Sequence, residues 1–190
     1  EIRANGNARV ALPGTFTNSA SLGAGGHLDV QVAALDNRAT GEMQAGSALL
    51  ASSTLVNRGL IDASDARLES ALLDNLGSGR IYGDHLAIQA VTLTNAAEDG
   101  SAPVIAARKR LDMGIGNLIN SEHGLLFSAG DRVIGGAIGA TNRVSGQASS
   151  VINRSATIEA LDNLTLAAES IENLDTHFAT EVVRTSVTPH

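Results

Sequence analysis

The sequence predicts an all-β fold, a parallel β-helix built from coils of about 20 residues. Three observations predict it. An apolar residue recurs two places before an asparagine, apolar and polar residues alternate between these sites, and aromatic residues make up only 2% of the chain. A narrow lumen of stacked aliphatic side chains does not need the large rings that globular cores use. The recurring pairs are Phe16/Asn18, Leu35/Asn37, Leu55/Asn57, Leu73/Asn75, Leu93/Asn95, Leu118/Asn120, Val151/Asn153 and Ile171/Asn173.

These pairs divide the chain into small repeating units. Successive asparagines are separated by 19, 20, 18, 20, 25, 33 and 20 residues. Such a period means that one unit cannot bury its own apolar face and must stack on the next. The 190 residues are therefore better described as one continuous array than as one or two compact domains.

Short strands and tight turns fill each unit. Alternation with a period of two, which indicates strand rather than helix, occurs at residues 28–32, 66–69, 86–89 and 164–166. Glycines that predict turns follow the asparagines closely, at Gly41, Gly59, Gly77, Gly79 and Gly124. A second short apolar stretch then follows. Two or three short strands per unit fit a parallel β-helix, in which each strand pairs with its counterpart one coil away at about 4.8 Å.

The recurring asparagines are predicted to form a structural ladder along the rod. An asparagine amide has two donors and an acceptor, tolerates left-handed backbone, and can bond both the local turn and the asparagines of the coils above and below. The predicted ladder contains Asn18, Asn37, Asn57, Asn75, Asn95, Asn120, Asn153 and Asn173. The apolar residue two places earlier points the same way into the lumen, and the residue between the two points outward.

A leucine-rich repeat is the closest alternative fold, since its period is similar and its repeat also ends in asparagine. Its signature is Leu-x-x-Leu-x-Leu-x-x-Asn, with two residues between the last leucine and the asparagine. Here one residue intervenes in every unit, and no unit contains a longer amphipathic helical turn. The pattern favours the β-helix.

The second half of the chain departs from the strict period. The 33-residue interval between Asn120 and Asn153 contains Asn142 and a glycine-rich stretch at 135–139. We expect a β-helical segment over residues 1–178, with either a loop excursion or a degenerate coil within 121–152. Residues 179–190 are β-branched but contain no further asparagine, so they are expected to form an exit strand or to begin the next domain.

Charge and composition exclude several classes of protein. The net charge of −7 and a single lysine, Lys109, argue against a general nucleic-acid binder. No apolar run approaches the roughly 18 residues needed to cross a membrane, so the chain is not expected to be membrane-embedded. Cysteine is absent. An extracellular shaft can do without disulfides because stacked strands supply its stability.

No catalytic, cofactor or metal motif is recognisable, and the five histidines stand alone. We therefore predict no enzymatic activity, no cofactor and no metal. Stacking could bring dispersed carboxylates together, such as Asp62 with Asp65 or Asp29 with Asp36, and polysaccharide-cleaving β-helices use such clusters. Nothing in the spacing selects a particular pair, and outward polar residues on a solvated surface are the favoured explanation.

Two arginines are candidates for contact with a glycan. Arg38 and Arg58 each directly follow a repeat asparagine, so they should stack in adjacent coils and begin a basic stripe that could hold sulfated or acidic glycans. Leu76, Ala96 and Ser121 interrupt that stripe at the equivalent positions. The net negative charge of the chain also opposes such a stripe, so a solvated edge is the favoured interpretation.

Three consecutive units carry a family resemblance: LDNRATGEMQAGSALLASSTLVN, NRGLIDASDARLESALLDN and NLGSGRIYGDHLAIQAVTLTN. They resemble the repeats of filamentous haemagglutinin and of the contact-dependent growth inhibition exoproteins of Gram-negative bacteria. The later stretch from Leu111 to Asn173 is similar to the more divergent repeats of the same family. The resemblance covers residues 15–178, and its specificity comes from the repetition and order of short motifs.

This resemblance implies right-handed β-helical filaments that an outer-membrane transporter of the two-partner type exports. Such filaments adhere to a host or neighbouring-cell receptor or glycan, or deliver a C-terminal toxin. We therefore expect a structural shaft segment, secreted and held at the bacterial cell surface, with no nucleic-acid partner. The alternatives are a β-helical carbohydrate-active enzyme, or a receptor- or glycan-binding module within the filament.

Overall fold

The computed structural model describes residues 1–181 and forms 15 strands, most of them in one parallel sheet that coils along an axis. The prediction of an all-β parallel solenoid with coils of about 20 residues is confirmed; its handedness stays a prediction. The strands are β1 (Ile2–Ala4), β2 (Ala8–Asn18), β3 (Ser21–Asn37), β4 (Glu42–Asn57), β5 (Leu60–Leu76), β6 (Arg80–Ala96), β7 (Val104–Ser121), β8 (Leu125–Ser128), β9 (Asp131–Gly135), β10 (Ala137–Ile138), β11 (Val144–Ser145), β12 (Ala148–Arg154), β13 (Thr157–Ala160), β14 (Leu164–Leu166) and β15 (Ala168–Leu174).

Each of the strands β3 to β7 runs once around the rod and pairs in parallel with the next. The pairing divides a coil into three stretches, because β8, β9 and β12 lie against successive parts of β7. The last coil repeats this division, with β13 on β8, β14 on β9 and β15 on β12. The register between coils aligns the ladder positions, for example Asn57 with Asn75 and Asn75 with Asn95.

The lumen is a continuous column of aliphatic side chains. Alternate residues point inward and stack on the equivalent residues of the next coil, as in the column Ala66, Leu86 and Leu111. Close packing of such layers gives each coil the apolar burial that it lacks alone. The packing ends at the last described coil, where Leu164 and Ile171 are 44% and 49% exposed.

Where an interval between asparagines is longer than one coil, the additional residues form loops on the outside of the rod. In the 25-residue interval they form a loop closed by an antiparallel bridge between Glu98 and Ser101. In the 33-residue interval, β10 and β11 form an antiparallel hairpin, and Asn142 lies in its turn with a φ of 58°. Residues 121–135 and 148–152 keep the path of a coil, and residues 136–147 leave it as this hairpin.

The end of the described chain is irregular. Residues 175–181 contain no strand, and the rest of the predicted exit segment, 182–190, lies outside the described residues. Over residues 1–181, none of the secondary structure is a helix with the length and apolar character required to span a bilayer.

Candidate functional site

The structure places the eight repeat asparagines in one column parallel to the axis. The side-chain Nδ2 of each asparagine except Asn173 donates a hydrogen bond to the Oδ1 of the asparagine in the following coil, at 2.8 or 2.9 Å. Five of the eight side chains have no solvent exposure, and the two ends of the column are more open. The hydrogen-bonded pairs are Asn18/Asn37, Asn37/Asn57, Asn57/Asn75, Asn75/Asn95, Asn95/Asn120, Asn120/Asn153 and Asn153/Asn173.

The same amides also reach the backbone. Asn37 Nδ2 lies 3.2 Å from the Leu60 carbonyl oxygen, and Asn120 Nδ2 lies 3.0 Å from that of Thr157. A buried polar group is stable only when it is hydrogen-bonded. The asparagine column therefore joins neighbouring coils through side chains as well as through the strand ladder.

Glycines lie directly beside the asparagine column, although their place in the sequence predicts only turns. A Cβ on Gly79 would lie 2.4 Å from Asn75 Oδ1 and 2.6 Å from the Asn57 carbonyl oxygen. A Cβ on Gly41 would lie 2.3 Å from Asn37 Oδ1. Only a residue without a Cβ fits beside the carboxamides. The signal in the sequence was the glycine four places after the asparagine in these units.

Arg38 and Arg58 occupy equivalent positions in adjacent coils, and each is paired with a carboxylate. Arg38 Nε lies 2.7 Å from Asp36 Oδ2, and Arg58 Nη2 donates to Glu98 Oε1 at 2.9 Å. The hydrogen bond with Glu98 raises the pKa of Arg58, and the same contact lowers the pKa of Glu98. The positive charge of both arginines is compensated within the chain, which leaves little of it for an acidic glycan.

The carboxylates singled out in the sequence are dispersed. Asp29 lies 3.3 Å from Arg9, and Asp62 lies 3.6 Å from Arg108. Asp36 pairs with Arg38 on another part of the coil. Asp29, Asp36 and Asp62 are each matched with a cation instead of a second carboxylate, whereas Asp65 has no ion pair within residues 1–181. These carboxylates therefore do not form the paired acid and base that glycoside cleavage uses.

The structure brings together a charged cluster centred on Asp112, which no sequence motif indicates. This carboxylate has no solvent exposure. Arg110 donates to both of its oxygens, at 2.7 and 3.1 Å, and His85 Nε2 lies 2.9 Å from Oδ2. Arg143 of the hairpin approaches to 3.6 Å. The alternation around Asp112 predicts an outward residue, and it is buried because the hairpin covers it.

The β10–β11 hairpin folds over the outer face of the rod and covers parts of β5, β6 and β7. Its Ile138 amide donates to Gln89 Oε1 at 2.6 Å, and Arg67 Nη1 donates to the Gly139 carbonyl at 3.0 Å and to Asn142 Oδ1 at 2.6 Å. A Cβ on Gly114 of β7 would lie 2.5 Å from the Ala137 backbone. The hairpin is therefore a packed element and joins coils that are distant along the chain.

Arg132 lies inside the lumen, between Leu111 and Leu164 of the adjacent coils. Its side chain has no exposure, and Nη1 donates to the Leu126 carbonyl at 2.7 Å. Nε and Nη2 have no hydrogen-bond partner among the described residues. Burial lowers the pKa of Arg132 to about 9. A buried guanidinium with unpaired nitrogens lowers the free energy of unfolding, because it has lost its hydration without gaining full hydrogen bonding.

Across residues 1–181, no three His, Asp or Glu side chains are grouped so that they could hold a metal ion. The features above define a class of protein: a β-solenoid repeat protein whose coils stack through an aliphatic lumen and an internal asparagine column.

The family model described as haemagglutinin repeat matches residues 3–186, and the chain belongs to this family. The resemblance to filamentous haemagglutinin is confirmed. No curated protein and no solved structure gave a significant match. The family is structural and adhesive in character, and a haemagglutinin repeat folded as a β-solenoid fits a shaft segment of a filamentous adhesin.

Proposed function

We propose that this chain is a stiff spacer, a segment of the shaft of a secreted filamentous adhesin or contact-dependent inhibition exoprotein. It would hold distal binding or toxin regions at a fixed distance from the bacterial surface. The observation that supports this most is the uninterrupted series of seven asparagine hydrogen bonds that runs the length of the array.

Stiffness follows from where the hydrogen bonds point. In a parallel solenoid both the backbone ladder and the asparagine column run along the axis, so bending the rod must stretch bonds on its convex side. The aliphatic lumen resists compression because it is closely packed. Eight stacked coils at about 4.8 Å each give a rod of roughly 40 Å.

The family supplies the proposed setting. We propose export through an outer-membrane transporter of the two-partner type, residence at the bacterial cell surface, and a receptor or glycan on a host or neighbouring cell as the target of the whole filament. A chain without cysteine suits passage across a membrane in an unfolded state, since no disulfide can form on the way.

We propose no catalysis for this segment. A carbohydrate-cleaving β-helix needs two carboxylates facing an open groove that accommodates a sugar chain. The most strongly held carboxylate, that of Asp112, is enclosed by Arg110, His85 and the hairpin, with no exposure through which a substrate could approach.

The spacer role can be tested in the full exoprotein. Residues 3–174 would be replaced either by a glycine-serine linker of equal residue number or by an equal stretch of haemagglutinin repeat from the same protein. A flexible linker of this length spans roughly 70 Å on average, more than the rod, but it does not fix the distance between its ends. We expect it to reduce adhesion or toxin delivery at unchanged surface display, and the solenoid replacement to restore the activity.

The replacement pair separates a spacer from a binding module. Full activity with the flexible linker would refute the need for stiffness. Failure of the substituted repeat stretch, when it is displayed at the normal level, would show that the surface of this particular segment is required, and the spacer proposal would then be wrong as stated.

A further inference from the structure

One coil of the rod, formed by residues 121–135 and 148–154, has an unfavourable interior. Arg132 occupies a lumen position that holds leucine or alanine in the earlier coils. Its Nη1 donates to the carbonyl of Leu126, which belongs to the same coil, and Nε and Nη2 have no partner within residues 1–181. Unpaired buried polar atoms lower the stability of a layer. This layer, called here the Arg132 coil, therefore needs support from outside its own lumen.

The hairpin interrupts the Arg132 coil and is continuous with it on both sides. β9 ends at Gly135, and β12 resumes the coil at Ala148. Between them, β10 and β11 pair in antiparallel orientation, and the Gly139 amide donates to the Arg143 carbonyl at 2.9 Å. The hairpin, residues 136–147, is thus held together by its own hydrogen bonds. Because both of its ends belong to the Arg132 coil, that coil cannot move away from the rod without pulling on the hairpin.

The far part of the hairpin is fastened to earlier coils. Gln89 of β6 accepts a hydrogen bond from the Ile138 amide at 2.6 Å. Arg67 of β5 donates to Asn142 Oδ1 at 2.6 Å and to the Gly139 carbonyl at 3.0 Å. The Arg132 coil itself stacks on β7, not on β5 or β6. The hairpin therefore ties this coil to layers that it does not otherwise contact.

The outer surface of β7 has room for the hairpin. The strand register aligns Gly114 with outward residues that carry side chains in the preceding coils: Gln31, Ala51, Glu69 and Gln89. At Gly114 a Cβ would lie 2.5 Å from the Ala137 carbonyl carbon, so a side chain there would displace the hairpin. The side chain is missing where the hairpin crosses β7, which indicates that the contact is a built feature of this segment.

We infer that residues 136–147 are a clasp that holds the Arg132 coil closed against the rod, and that release of the clasp opens this coil while the earlier coils stay folded. The buried guanidinium supplies the tendency to open, and the anchors on Arg67 and Gln89 oppose it. An open coil is a flexible joint in a rod that is otherwise stiff. This device goes beyond the spacer role, and its test uses the chain alone, so either proposal can fail without the other.

Hydrogen exchange of the whole 190-residue chain tests the clasp. The double substitution Arg67→Ala with Gln89→Ala removes both anchors at positions that do not stack on the Arg132 coil. Substitutions in separate layers ordinarily act independently. We expect amide protection in β8 and β9 to fall at least about tenfold, because the clasp transmits the loss, and protection in β3 and β4 to change less than about twofold. Faster trypsin cleavage after Arg143 reports release of the clasp directly.

Arg9→Ala with Gln31→Ala is the matched control. Arg9 and Gln31 are the same residue types in the same two outward columns, and they pair with Asp29 and with each other instead of with the clasp. This control should leave protection in β8 and β9 within about twofold of the native value.

Arg132→Leu tests the source of the weakness. Introduced into the variant that lacks both anchors, it removes the unpaired guanidinium and should raise protection in β9 at least about fivefold. Circular dichroism would establish that the variants keep their β content.

The outcomes decide the inference. Faster cleavage after Arg143 with unchanged protection in β8 and β9 would overturn it, because the hairpin would then leave without opening the coil. Equal loss of protection from β3 to β9 would overturn it as well, since the hairpin would then stabilise the whole rod. No change in either readout would show that the two anchors do not hold the hairpin, and failure of Arg132→Leu to raise protection would show that the guanidinium is not what opens the coil.

Discussion

Replacing Asn75 by leucine tests the inside of the rod. Asn75 lies in the middle of the asparagine column and has no solvent exposure. Its Oδ1 accepts from Asn57 at 2.8 Å, and its Nδ2 donates to Asn95 Oδ1 at 2.8 Å and to the Val104 carbonyl at 3.3 Å. Leucine fills a similar volume but can make none of these bonds.

The magnitude follows from the two partners left behind. The Asn95 acceptor loses its side-chain donor, and Asn57 Nδ2 keeps only a 3.4 Å contact with the Arg80 carbonyl. An unpaired buried polar group costs about 1–3 kcal/mol, so the two together cost about 2–6 kcal/mol. Burial of the leucine side chain returns about 1.5–3 kcal/mol. The middles of these two ranges differ by about 2 kcal/mol, so we expect a net loss in the free energy of unfolding of about 1–3 kcal/mol.

Hydrogen exchange is the appropriate measurement, because a solenoid can open coil by coil and a single melting point averages over that process. A loss of about 1–3 kcal/mol lowers amide protection in β5 and β6 about 5- to 150-fold. Asp74→Asn is the matched control, since Asp74 precedes Asn75 but points outward, and we expect a change under about 0.5 kcal/mol. Equal loss in both variants, or greater loss at Asp74, would refute the assignment of inside and outside.

Three further changes probe the neighbouring features. Gly79→Ala should cost about 1–3 kcal/mol because its Cβ would collide with the asparagine column, whereas Gly14→Ala, with nothing within 4 Å, should change the urea midpoint little. Arg132→Leu should stabilise the last coils by about 1–4 kcal/mol. Since burial lowers the pKa of Arg132 to about 9, the charged form costs stability below that pH, and the difference from the native chain should shrink as pH rises above it. Arg67→Ala should free the hairpin tip, measured as faster trypsin cleavage after Arg143; unchanged cleavage would show that the Arg67 contacts do not hold the hairpin.

The fold could be predicted because the repeat encodes it locally. An asparagine two places after an apolar residue sets both the register and the inward direction of each coil, and period-two alternation then assigns the other inward positions. The structure places all eight predicted asparagines in a single column for this reason. Repetition also averages out the degeneracy of any single motif.

The candidate site could be predicted much less well, because it depends on residues that leave the repeat. Arg58 pairs with Glu98, 40 residues later, only because the extra loop of the 25-residue interval returns to that coil. Asp112 is buried by a hairpin whose path no local pattern encodes. Arg132 sits at a position where other coils carry Leu86 or Leu111, and a charged residue in an alternating stretch is ordinarily read as outward.

The features that could be predicted from the sequence lie mainly at inward positions, and those that could not lie mainly at outward positions. Inward positions are nearly interchangeable between coils, because a stacked neighbour must present a similar side chain at the same height. They therefore define the rod and carry little that distinguishes this segment from another of its family. Outward positions are not constrained in this way: the hairpin over Asp112 contacts Arg67 and Gln89, which lie outside the aliphatic core. The features that distinguish this segment from others of its family therefore lie on its outer surface.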